Sequence, residues 1–185
     1  MAAQQPPVGD LGWTAPPFRL QGVDLRNYAL DDVRGPNGVL VMFICNHCPY
    51  VKAAIARIVA DCRALAADGI GSVAIMPNDV ERYPEDSFQN MKLFAAKHDL
   101  PFPYLIDDTQ AVARAYGAAC TPDFFGFNRD LELQYRGRLD SGGRETRADA
   151  RRELLEAMRL IARTGRGPDH QHPSIGCSIK WRAAA

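Results

Sequence analysis

Apolar positions follow two rhythms along this chain, and the rhythms alternate. From Gly38 to Ile44, GVLVMFI runs without a polar side chain, the pattern of a central strand buried on both faces. From Pro49 to Ala67 the period changes. Ile55, Ile58, Val59, Cys62, Leu65 and Ala66 recur at helical spacing and predict one helix with an apolar stripe. Gly69 stands where a helix C-cap belongs. Ser72–Met76 is a second core strand. Pro84–His98 is a second helix, with Pro84 in its first turn and Glu85 and Asp86 favouring its N-terminal dipole. The run PFPYLI is a short strand, followed by a small helix over Asp108–Tyr116 closed by Gly117. Asp123–Asn128 and Leu131–Leu139 read as a hairpin around Asn128-Arg129-Asp130. Thr146, with Asp149 three residues on, predicts the start of a last helix that ends at Thr164, before Gly165. Two short strands flank the turn at Gly22-Val23-Asp24, within Phe18–Tyr28.

Strands alternating with helices imply a parallel centre, and the late hairpin adds antiparallel edges. The expectation is therefore an α/β fold. Residues 1–10 read as a loose N-terminus rich in Pro, Gly and Gln, 11–165 as one domain, and 166–185 as a C-terminal loop and tail. Neither a repeat nor a second domain is evident.

Composition narrows the function without deciding it. The chain has 185 residues, 46% hydrophobic and 24% charged, enough for one domain with a real core. Lys+Arg and Asp+Glu are both 22, so net charge directs the protein neither to nucleic acid nor to an anionic membrane. No stretch approaches the roughly 20 apolar residues of a membrane span. The start MAAQQPPVGDLGW lacks a basic region and an apolar core, which points to the cytoplasm. Five cysteines are few for a disulfide scaffold, and in a reducing compartment paired thiols are catalytic or metal-binding before they are structural.

Two of them lie where the first core strand hands over to the first helix: Cys45-Asn46-His47-Cys48-Pro49. A helix N-terminus offers unpaired N–H groups and a positive dipole end, which stabilise a thiolate. Cys-x-x-Cys spacing brings two sulfurs within disulfide range, one to attack and one to resolve. Pro49 has no N–H and keeps the helix from starting much earlier. His47 as an imidazolium would stabilise the thiolate further and make the pair more oxidising; the plainer reading is an exposed loop histidine. Downstream, Cys120-Thr121-Pro122 precedes the strand DFFGF. A proline there fits a strand entrance or a turn, including a cis bond.

These pieces together resemble the thioredoxin-like superfamily. The closer resemblance is to its redoxin branch, which includes alkyl hydroperoxide reductase and thiol-specific antioxidant proteins, and within it to an uncharacterised peroxiredoxin-like group. The stretches that carry it are A-P-P-F at Ala15, C-N-H-C-P-Y-V-K at Cys45, P-E-D-S-F-Q-N-M at Pro84, P-F-P-Y-L at Pro101, A-Y-G-A-A-C-T-P-D-F-F at Ala115, Y-R-G-R-L-D at Tyr135 and I-G-C-S-I-K-W at Ile175. The resemblance implies a thioredoxin-like fold: a five-stranded, central mixed sheet flanked by helices, with an N-terminal strand extension and a C-terminal tail. It implies a cis Thr121-Pro122 bond facing Cys45 and Cys48, and a substrate groove formed by Asn46, Pro49, Thr121 and Pro122. Leu25 departs from the group, which often has glycine in that early turn.

The resemblance leaves two chemistries open. Peroxiredoxins carry Thr-x-x-Cys at the helix start and an arginine in the facing loop. If Cys48-Pro49 matches their peroxidatic cysteine, Cys45 replaces the threonine and Thr121-Pro122 replaces the arginine loop. Both changes lead toward thioredoxin, where Cys45 would attack and Cys48 resolve. The expected function is thus a thiol–disulfide oxidoreductase with His47 tuning the pair. A thiol-dependent peroxidase using Cys48 is the alternative, and a copper or zinc carrier using Cys45, His47 and Cys48, with His170 or His172 as a further ligand, ranks below both, so no metal or other cofactor is expected. Expected partners are a protein or small-molecule disulfide or thiol substrate and a reductant such as thioredoxin or glutathione, with no nucleic acid and no membrane. A tail bearing Trp181 docks on its own chain or on a neighbour, so a homodimer stays open.

The remaining thiols divide by position. Cys62 falls on the helix stripe and reads as core. Cys120 is either a third redox partner or apolar filler beside the site. Cys177, in the tail, is placed to dock through Ile175, Ile179 and Trp181 and to resolve a disulfide or sulfenic acid. The arginines from Arg144 to Arg166 alternate with Asp149, Glu153 and Glu156 and read as a salt-bridged helix face. Asp79 has two readings, proton transfer or loop capping.

Overall fold

The computed structural model describes residues 3–4, 11–145, 147 and 149–183. Its elements in chain order are β1 (Ala3–Gln4), β2 (Arg19–Gly22), β3 (Asn27–Ala29), α1 (Leu30–Val33), β4 (Val39–Phe43), α2 (Pro49–Ala67), β5 (Gly71–Met76), a 3-10 turn (Pro84–Asp86), α3 (Phe88–His98), β6 (Tyr104–Ile106), α4 (Ala111–Ala115), β7 (Cys120–Thr121), β8 (Asp123–Phe127), β9 (Leu133–Tyr135), α5 (Glu153–Thr164) and β10 (Gly176–Ser178).

The main sheet has the order β3-β2-β6-β5-β4-β8-β9. β4, β5 and β6 run parallel, and β8 and β9 add antiparallel strands at one side. The five strands β6-β5-β4-β8-β9 match the sheet that the resemblance implies, and the β2–β3 hairpin is its N-terminal extension. β4 is central and wholly buried. Its side chains alternate between two cores, as a pleated strand requires. Leu40 and Met42 pack with α2, α3 and α5, while Val39, Val41 and Phe43 pack with α1, α4 and Trp13. Each such large apolar side chain contributes about 1.5–3 kcal/mol by burial, so the strand that carries Cys45 at its exit is among the most firmly held in the molecule.

α2 spans the expected residues. Pro49 is its first residue, and Gly69 follows its end with φ +73°, a left-handed conformation that glycine adopts without cost. Leu25 shows why the group often has glycine at that turn: it sits at φ 69°, exposed, its N–H 2.9 Å from the Gly22 carbonyl.

Four expectations differ from the structure. The small helix expected over Asp108–Tyr116 is only Ala111–Ala115, since Asp107 and Gln110 turn the chain ahead of it. The helix predicted over Pro84–His98 is divided at Ser87, which is extended (φ −54°, ψ 153°); Asp86 turns inward to the thiol loop, and the chain must step out before α3 can start. The last helix begins at Glu153. Thr146, its expected cap, lies outside the described residues, and Arg151 instead pairs with Ser141 in both directions. The strand predicted over Leu131–Leu139 is only Leu133–Tyr135. Beyond it the backbone N–H groups of Arg136 and Arg138 turn to Gln171 and His172.

The arginine-rich helix face also works differently. Arg152 pairs with Asp61 and Arg159 with Asp68, so these charges tie α5 to α2 rather than forming ladders along one helix. Of the stretch 1–10, Ala3–Gln4 form β1, and the rest lies outside the described residues. The tail forms β10, the middle strand of a small second sheet, β1-β10-β7.

Candidate active site

Pro49 fixes the start of α2, and that decides which cysteine lies at the helix mouth. Cys48 is the N-cap residue, and Cys45 precedes it in the loop from β4. Both are buried free thiols. Opposite them stands Thr121, joined to Pro122 by a cis peptide bond. One residue faces both sulfurs: Thr121 Oγ1 is 3.3 Å from Cys45 Sγ, and Thr121 O is 3.0 Å from Cys48 Sγ.

Cys177 is the third sulfur of the site. β10 pairs antiparallel with β7, with Cys177 opposite Thr121, and its Sγ lies 3.0 Å from Cys48 Sγ. Cys48 is therefore the middle thiol of three. Cys120 is not in this chain of sulfurs. Its bond runs to the Pro122 carbonyl at 3.4 Å, and burial raises its pKa strongly. Cys62 is enclosed in the α2 core, where burial pushes its pKa up to about 12.

The charge distribution follows from the donors. Cys45 donates a hydrogen bond to a Cys48 thiolate, and Cys177 donates another, so Cys48 ionises well below the ordinary thiol range, against the opposing effect of burial. The same bond to Cys48, together with burial and the nearby Asp86 carboxylate, raises Cys45. Burial and the bond to Cys48 push Cys177 up to about 12. When Cys48 holds its proton it donates to the Thr121 carbonyl instead; on ionisation that contact turns repulsive and the two neighbouring thiols take over. The sequence reading assigns the attack to Cys45; the hydrogen bonds from Cys45 and Cys177 favour the charge on Cys48, at the helix N-cap.

His47 is held rather than loose. Its Nδ1 is 2.6 Å from Asp86 Oδ2 and 3.9 Å from Cys45 Sγ, and its ring stacks on Tyr83 at 5.7 Å. The Asp86 hydrogen bond raises its pKa, with burial opposing. Asp86 is fully buried. It also accepts from the backbone N–H of Asn46 at 2.8 Å and of His47 at 3.3 Å, and from Asn78 Nδ2 at 2.7 Å. Asp86 thus clamps the whole thiol loop. The sequence reading treats it only as a helix-dipole residue. Its place within P-E-D-S, just ahead of a serine that interrupts the helix, is the one local sign of another role.

Asn46, expected in the groove, turns inward: its amide donates to Glu85 O and accepts from Tyr104 OH at 3.0 Å. Of the expected groove residues, Pro122 lines a groove of about 270 Å³, together with Tyr50, Ala54, Phe124 and Ile175; Pro49 and Thr121 are not among its lining residues. Asp79 caps its own loop through the Glu81 N–H and bonds the tail through its N–H to Lys180 O.

Among the described residues, Cys45, His47 and Asp86 form a cluster of metal-ligand type. Both Asp86 oxygens are already engaged by two donors each, which suits a held imidazolium better than a metal. His170 and His172 are not in that cluster; His172 bonds Glu153 at 3.1 Å.

The model of the AhpC/TSA family matches residues 11–136. The comparison with curated proteins gives no match. Among solved structures, an uncharacterized conserved protein from Geobacillus kaustophilus is 45% identical over 100% of this chain and 99% of that one, with a TM-score of 0.93. A hypothetical protein from Sinorhizobium meliloti 1021 is 34% identical over 97% and 99%, with a TM-score of 0.90. A putative thiol:disulfide interchange protein from Chlorobium tepidum, 22% identical over 83% of this chain and 97% of that one, has a TM-score of 0.60 and shares the fold.

Proposed function

Because the chain belongs to the AhpC/TSA family and has a thiol-based redox function of the thioredoxin-like kind, we propose that it is a thiol–disulfide oxidoreductase working through Cys45 and Cys48. The observation that carries the reading is the second thiol. Where a peroxidatic site holds a hydroxyl and a guanidinium, this loop holds Cys45, and among the described residues no arginine hydrogen-bonds either sulfur. A buried pair of thiols sharing one proton is suited to exchange two electrons with a disulfide.

In the reduced protein Cys48 attacks one sulfur of a substrate disulfide. A Cys48–substrate bond forms, the substrate bond breaks, and one substrate thiolate leaves. Cys45 then attacks Cys48 Sγ, and its proton passes to the departing substrate sulfur. The second substrate thiol is released, and a Cys45–Cys48 disulfide remains. A reductant such as glutathione or thioredoxin runs the steps backward. Protein or small-molecule disulfides are the substrates, and the cytoplasm stays the proposed setting.

The test is disulfide mapping across a series of glutathione buffers. The Cys45–Cys48 bond should follow the glutathione ratio, Cys48→Ser should lose exchange, and the double variant Cys45→Ser/Cys177→Ser, which leaves no neighbouring thiol to resolve, should accumulate mixed disulfide on Cys48. Full exchange by Cys48→Ser would refute the assignment. One observation favours a second reading, a thiol peroxidase: Cys48 caps the helix N-terminus, where hydrogen bonds from Cys45 and Cys177 lower its pKa. Saturable peroxide consumption with sulfenic acid at Cys48 would select it.

A further inference from the structure

The C-terminal strand occupies the face of the site that a substrate must approach. β10 lies along β7 in antiparallel register, Cys177 opposite Thr121 and Ser178 opposite Cys120. It brings a sulfur to 3.0 Å from Cys48 Sγ and leaves both Cys45 and Cys48 about 1% exposed or less. The fit is close. A Cβ on Gly176 would come within 2.2 Å of the Thr121 carbonyl oxygen.

The strand is held from its far end. Lys180 N donates to Asn78 Oδ1 at 2.9 Å, Lys180 O accepts from Gln110 Nε2 at 2.9 Å, and Arg182 N donates to Gln110 Oε1 at 2.8 Å. Asn78 is shared: its amide nitrogen bonds Asp86, the residue that clamps His47. Tail docking and the histidine clamp therefore use one side chain.

We propose that β10 is an internal substrate strand: it fills the place of an extended polypeptide disulfide, and Cys177 exchanges with Cys48 to close the oxidised site. The inference rests on the dithiol exchange proposed above and names its substrate class, a cysteine in an extended segment that pairs with β7 after β10 has left. The internal step is an isomerisation. Cys177 Sγ attacks Cys48 Sγ of the Cys45–Cys48 disulfide; the Cys48–Cys177 bond forms and the Cys45–Cys48 bond breaks. The Cys177 proton ends on Cys45, beside Thr121 Oγ1 and His47, and no electrons are gained or lost. The closed form ties the tail covalently to the N-terminus of α2. Reduction, or return attack by Cys45, reopens it.

The experiment uses the full chain, oxidised glutathione, and a synthetic peptide of residues 174–180 presented as its glutathione mixed disulfide. Disulfides are mapped by mass spectrometry after trapping free thiols. The oxidised wild type should contain both Cys45–Cys48 and Cys48–Cys177 bonds, and Cys45→Ser should convert almost wholly to Cys48–Cys177. Gly176→Ala, which crowds β10 off β7 while removing no cysteine, should lose most of the Cys48–Cys177 bond and react severalfold faster with the peptide. Cys177→Ser should also react faster. The proposal is overturned if Cys45→Ser carries glutathione on Cys48 with Cys177 free, or if Gly176→Ala keeps both the wild-type bond distribution and the wild-type peptide rate. A failure of the underlying exchange reads differently: Cys177→Ser would then form no Cys45–Cys48 bond that follows the glutathione ratio.

Discussion

Cys48 caps the helix that carries Cys62, and both are buried. Their thiols nevertheless move in opposite directions. Cys62, in the middle of α2, meets chiefly apolar neighbours, and burial drives its pKa up to about 12. Cys48, at the N-cap, is pulled below the thiol range by the Cys45 and Cys177 hydrogen bonds, although burial opposes the shift there too. Burial alone therefore makes a thiol inert, and the helix end with its donors makes it reactive. A buried cysteine in this protein keeps a low pKa only when something nearby can donate to its charge.

The sharpest break of that comparison is a paired substitution. Cys48→Ser should abolish disulfide exchange, whereas Cys62→Ala should keep it and cost about 1–3 kcal/mol of unfolding free energy through the small cavity. A coupled exchange assay and urea denaturation check both halves. Alkylation against pH separates the thiols next. A lowered pKa means the thiolate persists below the ordinary range, so Cys48, reached whenever β10 detaches, should react with iodoacetamide at pH 6–7 and lose reactivity only as pH falls further. Cys62 should stay unmodified across neutral pH until the protein unfolds.

Asp86→Asn tests what holds the mouth of the helix. Losing the carboxylate should cost roughly 1–3 kcal/mol of stability, since it satisfies buried donors. It should also return the His47 titration, followed by NMR, toward its ordinary value near 6.5. The sign of the pH effect is fixed by the raised His47 pKa. That interaction stabilises the fold fully below the unfolded pKa and is lost as pH rises through the folded one. The variant should therefore fall further behind wild type at pH 5 than at pH 9. The smallest effect is expected at Leu25→Gly, remote from every thiol. Relief of the left-handed backbone should raise stability by no more than about 1 kcal/mol, measured as the melting temperature, with exchange rates unchanged.

Much of the fold was legible because it rests on local periodicity. The run 38–44 and the stripe Ile55, Ile58, Cys62, Leu65 can bury their apolar faces in few other ways, and β4 and α2 formed within a residue of expectation. The failures have tertiary causes. Pro84–His98 looks like one helix because nothing nearby shows that Asp86 has partners at positions 46, 47 and 78. Leu131–Leu139 looks like one strand because the loop at 171–172, which captures Arg136 and Arg138, is distant in sequence.

The candidate site divides the same way. Cys45, His47, Cys48, Thr121 and Pro122 were visible in the sequence, since a dithiol before a proline-started helix and a proline before a strand are local patterns. The distribution of charge among the thiols was not, because it depends on distances between side chains that only packing sets. By itself the sequence determined the strand–helix order, the α2 start and the presence of a Cys-x-x-Cys pair at that start. Only the tertiary structure decided that Cys48 is the central sulfur, that Asp86 clamps His47, and that Cys177, 129 positions along the chain from Cys48, completes the site. Periodicity and turn chemistry act over a few residues, whereas hydrogen bonds and electrostatic shifts act across the gaps that folding closes.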